Sequence, residues 1–309
     1  MGALVEYGAR ARVLAVADRI PASRTRWKYL ECRLAAGATQ TDLSIRVEPS
    51  ETTHPAVEAL WFEYDCPNDG RSVDAIVDAP GVFADIRPSV YAGASRRERD
   101  AATRRVADSL GSPLPRETAA VIQRCLAALP PGSAIISTGC FPHRDAALRR
   151  LCIAGIDDDL LPAYLARIGW PGTWSQIARR LAPLTPLAVR AGRTAAIVHI
   201  DVGADVAPTI ALELPFTRAP QRGGRLAEVA VLDTLVATGV CDPAKRDALL
   251  AWPLRVVSTM PHELWPSVMT RRLNHVKLVW RADGIVEAKA YLAMSHRPIV
   301  RRRNDVSIK

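Results

Sequence analysis

Several things this chain lacks narrow the reading before anything it contains. No apolar run approaches the roughly 20 residues that cross a bilayer as a helix. Residues 1–22 interleave Glu6, Arg10, Arg12, Asp18 and Arg19 with apolar positions, a pattern that fails as a secretion signal, so a cytoplasmic location is the expectation. The six cysteines (Cys32, Cys66, Cys125, Cys140, Cys152, Cys241) contain no Cys-x-x-Cys pair. That argues against a zinc site or a disulfide framework and for reduced, mostly buried thiols. No Gly-x-Gly-x-x-Gly follows a strand and no Walker-type phosphate loop occurs, which removes the common nucleotide-binding signatures. The formal charge of +9 comes chiefly from arginine and favours anionic partners such as phosphates or an acidic peptide. Because the basic residues are spread along the chain and no helix joins a basic stripe to exposed aromatics, nucleic acid is a poor candidate.

What is present is a repeated pattern of short strand pairs, each strand polar on one face and apolar on the other. In His275–Arg281, alternation puts His275, Lys277 and Arg281 on one side and Val276, Leu278 and Trp280 on the other. After the Asp283-Gly284 turn, Glu287, Lys289 and Tyr291 face one way while Ala288, Ala290 and Leu292 face the other. Three further pairs read the same way: 43–48 with 59–65, 134–140 with 148–156, and 194–202 with 209–216. A short strand at 82–86 fits the otherwise unreadable stretch 66–93, which leaves room for a fifth pair. Helices are expected over most of 1–40, with Pro21 as a break, and at 95–110, 116–129, 160–168, 173–181, 226–238, 243–252 and 261–273. Asp157-Asp158-Asp159 is placed to cap the helix at 160, and Asp242 the helix at 243. Short connections within each pair suit antiparallel hairpins and argue against parallel crossover folds. The fold class is therefore α+β, built from repeated helix–strand–strand–helix units. An antiparallel barrel with a polar lumen and helices outside is one way to house the polar faces. The expected organisation is a single domain over 1–296, followed by a basic tail at 297–309.

Candidate site residues follow from these faces. Lysine at 289 and tyrosine at 291 project together, and Lys277 joins them across the hairpin; two ammonium groups and a phenol suit a diphosphate, and the ring suits a carbocation. Their alternative is an ordinary exposed sheet face. His199 and Asp201 point together as in part of a non-haem iron site, with His262, His275 or His296 as a third ligand, or they form a satisfied pair lining a polar cavity. Glu63 and Glu213 sit mid-strand among apolar or aromatic neighbours and need water, a cation or a donor. Glu63 reads equally as a proton acceptor or as a partner for Arg46. The tryptophans 170, 174, 252 and 265 read as core.

With the strand-pair repetition and the Lys289-x-Tyr291 strand in hand, the chain resembles the ABBA-type aromatic and peptide prenyltransferases. That resemblance implies a ten-stranded antiparallel barrel with helices outside, binding an isoprenoid diphosphate in its lumen. It implies transfer of the prenyl group to an aromatic small molecule or a peptide side chain. Lys277, Lys289 and Tyr291 would hold the diphosphate, helped by Arg46, Arg149 or Arg150, and Glu63 or Glu213 would accept the proton. His199, Asp201 and His275 would be further lumen residues. No cofactor is required and no protein metal site is implied, with Mg2+ admissible alongside the diphosphate. The alternatives are an accessory or tailoring protein that binds a peptide in a natural-product pathway, and an iron oxygenase using His199 and Asp201.

Overall fold

The computed structural model describes residues 4–20, 27–50, 53–67, 69, 71–87, 95–110, 113–181, 196–216, 224–259, 266–281 and 286–299. Eleven strands are seen there: β1 Trp27–Arg33, β2 Thr41–Val47, β3 Val57–Tyr64, β4 Gly81–Ile86, β5 Ala134–Phe141, β6 Ala146–Ala154, β7 Ile197–Val202, β8 Val206–Pro215, β9 Leu254–Thr259, β10 Pro266–Trp280 and β11 Val286–Pro298. Ten of them pair antiparallel in the order β1 to β8, then β10 and β11, and β11 returns to β1. The sheet is thus a closed barrel. β9 stands outside it, paired only to the first half of β10.

Helices surround the barrel: α1 Tyr7–Asp18, α2 Val73–Asp78, α3 Arg96–Ser109, α4 Arg116–Ala128, α5 Pro142–Asp145, α6 Leu161–Ile168, α7 Trp174–Leu181, α8 Gly224–Ala237 and α9 Pro243–Ala251. The outward residues of the strands, among them Leu43, Ile45, Leu151, Ile153, Leu212, Val276 and Leu278, bury against Val121, Ile122 and Leu126 of α4, Leu165 and Ile168 of α6, and Leu232 and Leu235 of α8. Each such side chain contributes about 1.5–3 kcal/mol by leaving water. Trp170 and Trp252 join this core, Trp174 packs against it, and all six cysteines are buried and free. Trp265 lies outside the described residues.

Two strands stand where helices were expected. Trp27–Arg33 is β1; Leu30 and Cys32 reach the outer core, and Glu31 reaches the lumen. Its alternation is regular, but it is bracketed by charged residues and resembles an amphipathic helix turn over so short a span. The 266–273 part of the expected helix belongs to β10, and 261–265 lies outside the described residues. A β-bulge explains the misreading. Asn274 has no partner on β11, and the register steps from Leu273–Leu292 to His275–Tyr291. One extra residue inverts the inside–outside parity, so the period of two breaks in mid-strand. β4 is the strand expected at 82–86, but the stretch 66–93 holds no fifth hairpin among its described residues: the tenth barrel strand is β1, which lies between β2 and β11, while β4 lies between β3 and β5.

Two helix starts deserve comparison. Asp242 caps α9 by accepting from the Ala244 and Lys245 amides, as expected. By contrast, α6 begins without any side-chain cap: the Leu160 and Leu161 amides go to the carbonyl of Asp157, not to a carboxylate of the acidic triplet. Lys245 of α9 also fixes the end of β1. Its ammonium donates to the carbonyls of Arg33, Ala35 and Ala38 at 2.8, 2.9 and 2.5 Å, which anchors the β1–β2 connection.

Candidate active site

Inside the barrel lies a cavity of about 360 Å³ whose lining includes Glu31, Asp42, Glu63, Asp65, Arg150, His199, Asp201, Lys277, Lys289 and Tyr291. Each side chain arrives there by the strand period. On β1 the inward positions are Tyr29, Glu31 and Arg33; on β11 they are Glu287, Lys289 and Tyr291.

Glu31 organises one wall. Lys289 donates to its Oε1 at 2.6 Å, and the Tyr291 hydroxyl donates to Oε2. Burial alone would raise the Glu31 carboxyl; Lys289, Lys277 and the two donated hydrogen bonds outweigh it and hold the group at about 2. Burial and the Glu31 charge push the Tyr291 phenol well above its usual value, so it remains a donor. Lys277 lies over the Tyr291 ring, 4.7 Å from its centroid. His275 stacks on that ring at 4.0 Å.

The opposite wall is built differently. Arg150 makes a bidentate pair with Asp201 at 2.6 and 2.8 Å. Glu213 is held between two imidazoles, His199 Nε2 at 3.0 Å and His275 Nδ1 at 3.4 Å, while Cys152 Sγ touches His199 Nδ1 at 3.3 Å. Burial first, then the Lys277 charge, holds His199 well below its usual value; burial and Lys277 likewise take His275 down to about 4, against the pull of Glu213. Burial also drives the Cys152 thiol up to about 12. Near neutral pH both imidazoles are therefore uncharged and the thiol is protonated. Next to Glu31, Asp42 accepts from the Cys66 amide at 2.9 Å and from Gln40. Burial, reinforced by Glu31 and Asp65, pushes its carboxyl up to about 7.

An aromatic crescent completes the lumen. Tyr29 and Trp61 meet edge-to-face at 5.0 Å, as do Phe83 and Phe141, and Trp61 packs with both pairs. Tyr291 joins it beside Tyr29, and the Arg150 guanidinium lies 4.6 Å from the Phe141 centroid. The crescent so carries a cation at each end, Lys277 and Arg150. Two glycines give the phenylalanine rings room. A Cβ on Gly139 would stand 2.5 Å from the Phe83 ring, and one on Gly81 would stand 2.5 Å from the Phe141 ring.

The fold matches solved structures of prenyltransferases, among them the following two. Prenyltransferase PriB in its apo form aligns with TM-score 0.53 at 15% identity, covering 95% of this chain and 93% of that one. The 5-dimethylallyltryptophan synthase from Streptomyces coelicolor aligns with TM-score 0.53 at 15% identity, covering 94% and 92%. The chain folds as a prenyltransferase barrel. No family model and no curated protein matches the sequence.

Within this prenyltransferase barrel, the sequence candidates separate into groups. Lys277, Lys289, Tyr291, Arg150, Glu63, His199 and Asp201 all line the cavity. Glu213 and His275 are not in its lining and act on it through His199 and Tyr291. Arg46 is not among the lining residues and pairs with Glu48 at 2.9 Å and Glu58 at 3.8 Å. Arg149 faces the opposite way from Arg150; it is fully buried and donates to the Ala107 carbonyl of α3. The His199–Asp201 pair is divided between Glu213 and Arg150. Among the described residues no group of three or more His, Cys, Asp or Glu side chains is arranged to hold a metal ion. Glu31, Asp42 and, apart from Tyr291, the aromatic crescent are absent from the sequence candidates. The alternation of Trp27–Arg33 was the available signal for Glu31.

Proposed function

We propose that this chain moves the prenyl group of an allylic diphosphate onto an aromatic acceptor. The observation that carries the reading is the position of Lys277. Lys289 is neutralised by Glu31 and Arg150 by Asp201. No ion pair among the described residues uses Lys277, which lines the cavity above the Tyr291 ring. An ammonium so placed can take a diphosphate oxygen, while the neighbouring Tyr29 and Trp61 rings offer π-density to the developing cation.

In this reading the allylic C–O bond breaks, and the diphosphate stays with Lys277, assisted by Lys289 and Arg150. The carbocation rests along Tyr29, Trp61 and Tyr291, which shield it from water. The acceptor ring forms the new C–C bond, and its proton passes to Glu63, one of the carboxylates that line the cavity. Glu213 is a positioning residue, orienting His199 and His275. The step transfers no electrons to a cofactor. An aromatic ring on a peptide is an acceptor of the same chemistry.

Calorimetry with dimethylallyl diphosphate tests this. Lys277→Ala should weaken binding at least about tenfold, the worth of one charge-assisted hydrogen bond. Arg46→Ala should leave it unchanged. Equal affinity in Lys277→Ala, with the fold intact by circular dichroism, would reject the proposal.

A further inference from the structure

A closed barrel has no strand edges, yet this chain adds one. Each barrel strand has neighbours on both sides, whereas β9, among the described strands, has a neighbour on one side only. Natural sheets blunt such edges with charge, proline or a covering element, because unpaired amides and carbonyls template another strand. β9 instead exposes Leu254, Val256 and Val257, at 41%, 38% and 60%. Around it the charge is one-sided. β9, β10 up to Arg272 and β11 from Ala293 carry Arg255, Arg271, Arg272 and Arg297 and no aspartate or glutamate. Two of these are fixed in place, Arg271 over the Trp252 ring at 4.7 Å and Arg272 over the Trp27 ring at 5.2 Å. Arg255 and Arg297 are exposed.

From this we infer that β9 is a docking edge for an extended acidic peptide, which adds to the sheet as a further antiparallel or parallel strand. The backbone ladder would supply affinity, Leu254 and Val256 on one face would pack alternate apolar side chains, and Arg255, beside Val257 on the other face, would with its arginine neighbours select the acidic ones. An unpaired edge alone would suit a second copy equally well, but β9 meeting its own copy would bring like charges together; the arginines favour an acidic partner. The middle of β9 pairs with Met269, eight residues before Lys277, which is about 25 Å along the strand. Anchoring is therefore separate from the lumen chemistry and stands or falls independently of it.

The test is fluorescence anisotropy of the full chain with a labelled short peptide of alternating glutamate and valine. Saturable binding is expected, with none for the lysine–valine counterpart. Binding should fall at least about tenfold when alternate peptide amides are N-methylated, since those hydrogen bonds are lost, and by a similar factor in Arg255→Glu, an exposed position whose change leaves the fold intact. Absence of binding, or binding indifferent to N-methylation, would overturn the proposal. So would displacement by an RNA oligonucleotide combined with that indifference, which would mark a nonspecific anion surface. A concentration-dependent dimer that Val257→Asp abolishes would overturn it too, by making a second copy the occupant.

Discussion

Four strands of the barrel each send one ring and one charge into the same lumen, two residues apart: Tyr29 and Glu31, Trp61 and Glu63, Phe83 and Asp85, Tyr291 and Lys289. The charged positions and the rings reach stability by different routes. The charges on one wall are satisfied by partners far off in sequence, as Glu31 is by Lys289, 258 residues away. The rings are satisfied by shape, resting against each other at 5.0 Å and, for the two phenylalanines, over glycines that leave space for them. A polar wall of this kind is costly to damage and tunable by pH; an aromatic wall is sensitive to volume and indifferent to pH.

The largest expected effect comes from breaking the polar wall at its centre. Glu31→Gln strands the Lys289 ammonium in the interior and should destabilise the fold by about 3–5 kcal/mol in urea denaturation. Adding Lys289→Met should recover most of that loss. A single-variant effect below about 1 kcal/mol would show that the pair is solvated and the comparison misdrawn.

The same wall should respond to pH in two opposing senses. Asp42, raised to about 7, keeps its proton in the native state while the unfolded chain releases it near its usual value. The native state then binds more protons between about pH 4 and 7, so stability should fall as pH rises through that window. Asp42→Asn should flatten this slope and stabilise the chain at pH 8 by something on the order of 2–4 kcal/mol. Glu31, lowered to about 2, works the other way: its contribution is present above the unfolded value and is lost as pH falls towards 2. Thermal denaturation of the wild type and Asp42→Asn between about pH 2 and 8 reads both directions.

The aromatic wall should answer to volume. Gly139→Ala drives a methyl into the Phe83 ring and should cost about 1–3 kcal/mol, independent of pH. Pairing it with Phe83→Leu should relieve most of that cost. A stability loss that the leucine does not relieve would point to backbone strain in β5, leaving the ring contact without a role.

Much of this contrast was legible in the residue order. Lys277, Lys289 and Tyr291 were readable because a strand displays its faces every two residues, and the same rule put His199 and Asp201 on one side; the choice between Arg149 and Arg150 was left to the structure. Arg46 obeyed that rule and still failed as a cavity residue, because Glu48 and Glu58 lie within its reach. Glu31 was missed for a local reason: seven residues of β1 do not by themselves distinguish a strand from a helix turn. Residues 266–273 were missed because the bulge at Asn274 shifts the period within one strand.

Alternation and turn spacing, both properties of neighbouring residues, determined the strand pairs, their apolar outer faces and the polar character of what they enclose. Closure of the barrel by β11 on β1, the meeting of Glu31 with Lys289 and Tyr291, the seating of Phe83 over Gly139 and the open edge of β9 were decided only by tertiary structure. Each of these depends on register between distant segments, and register is set by how all the strands pack around one core.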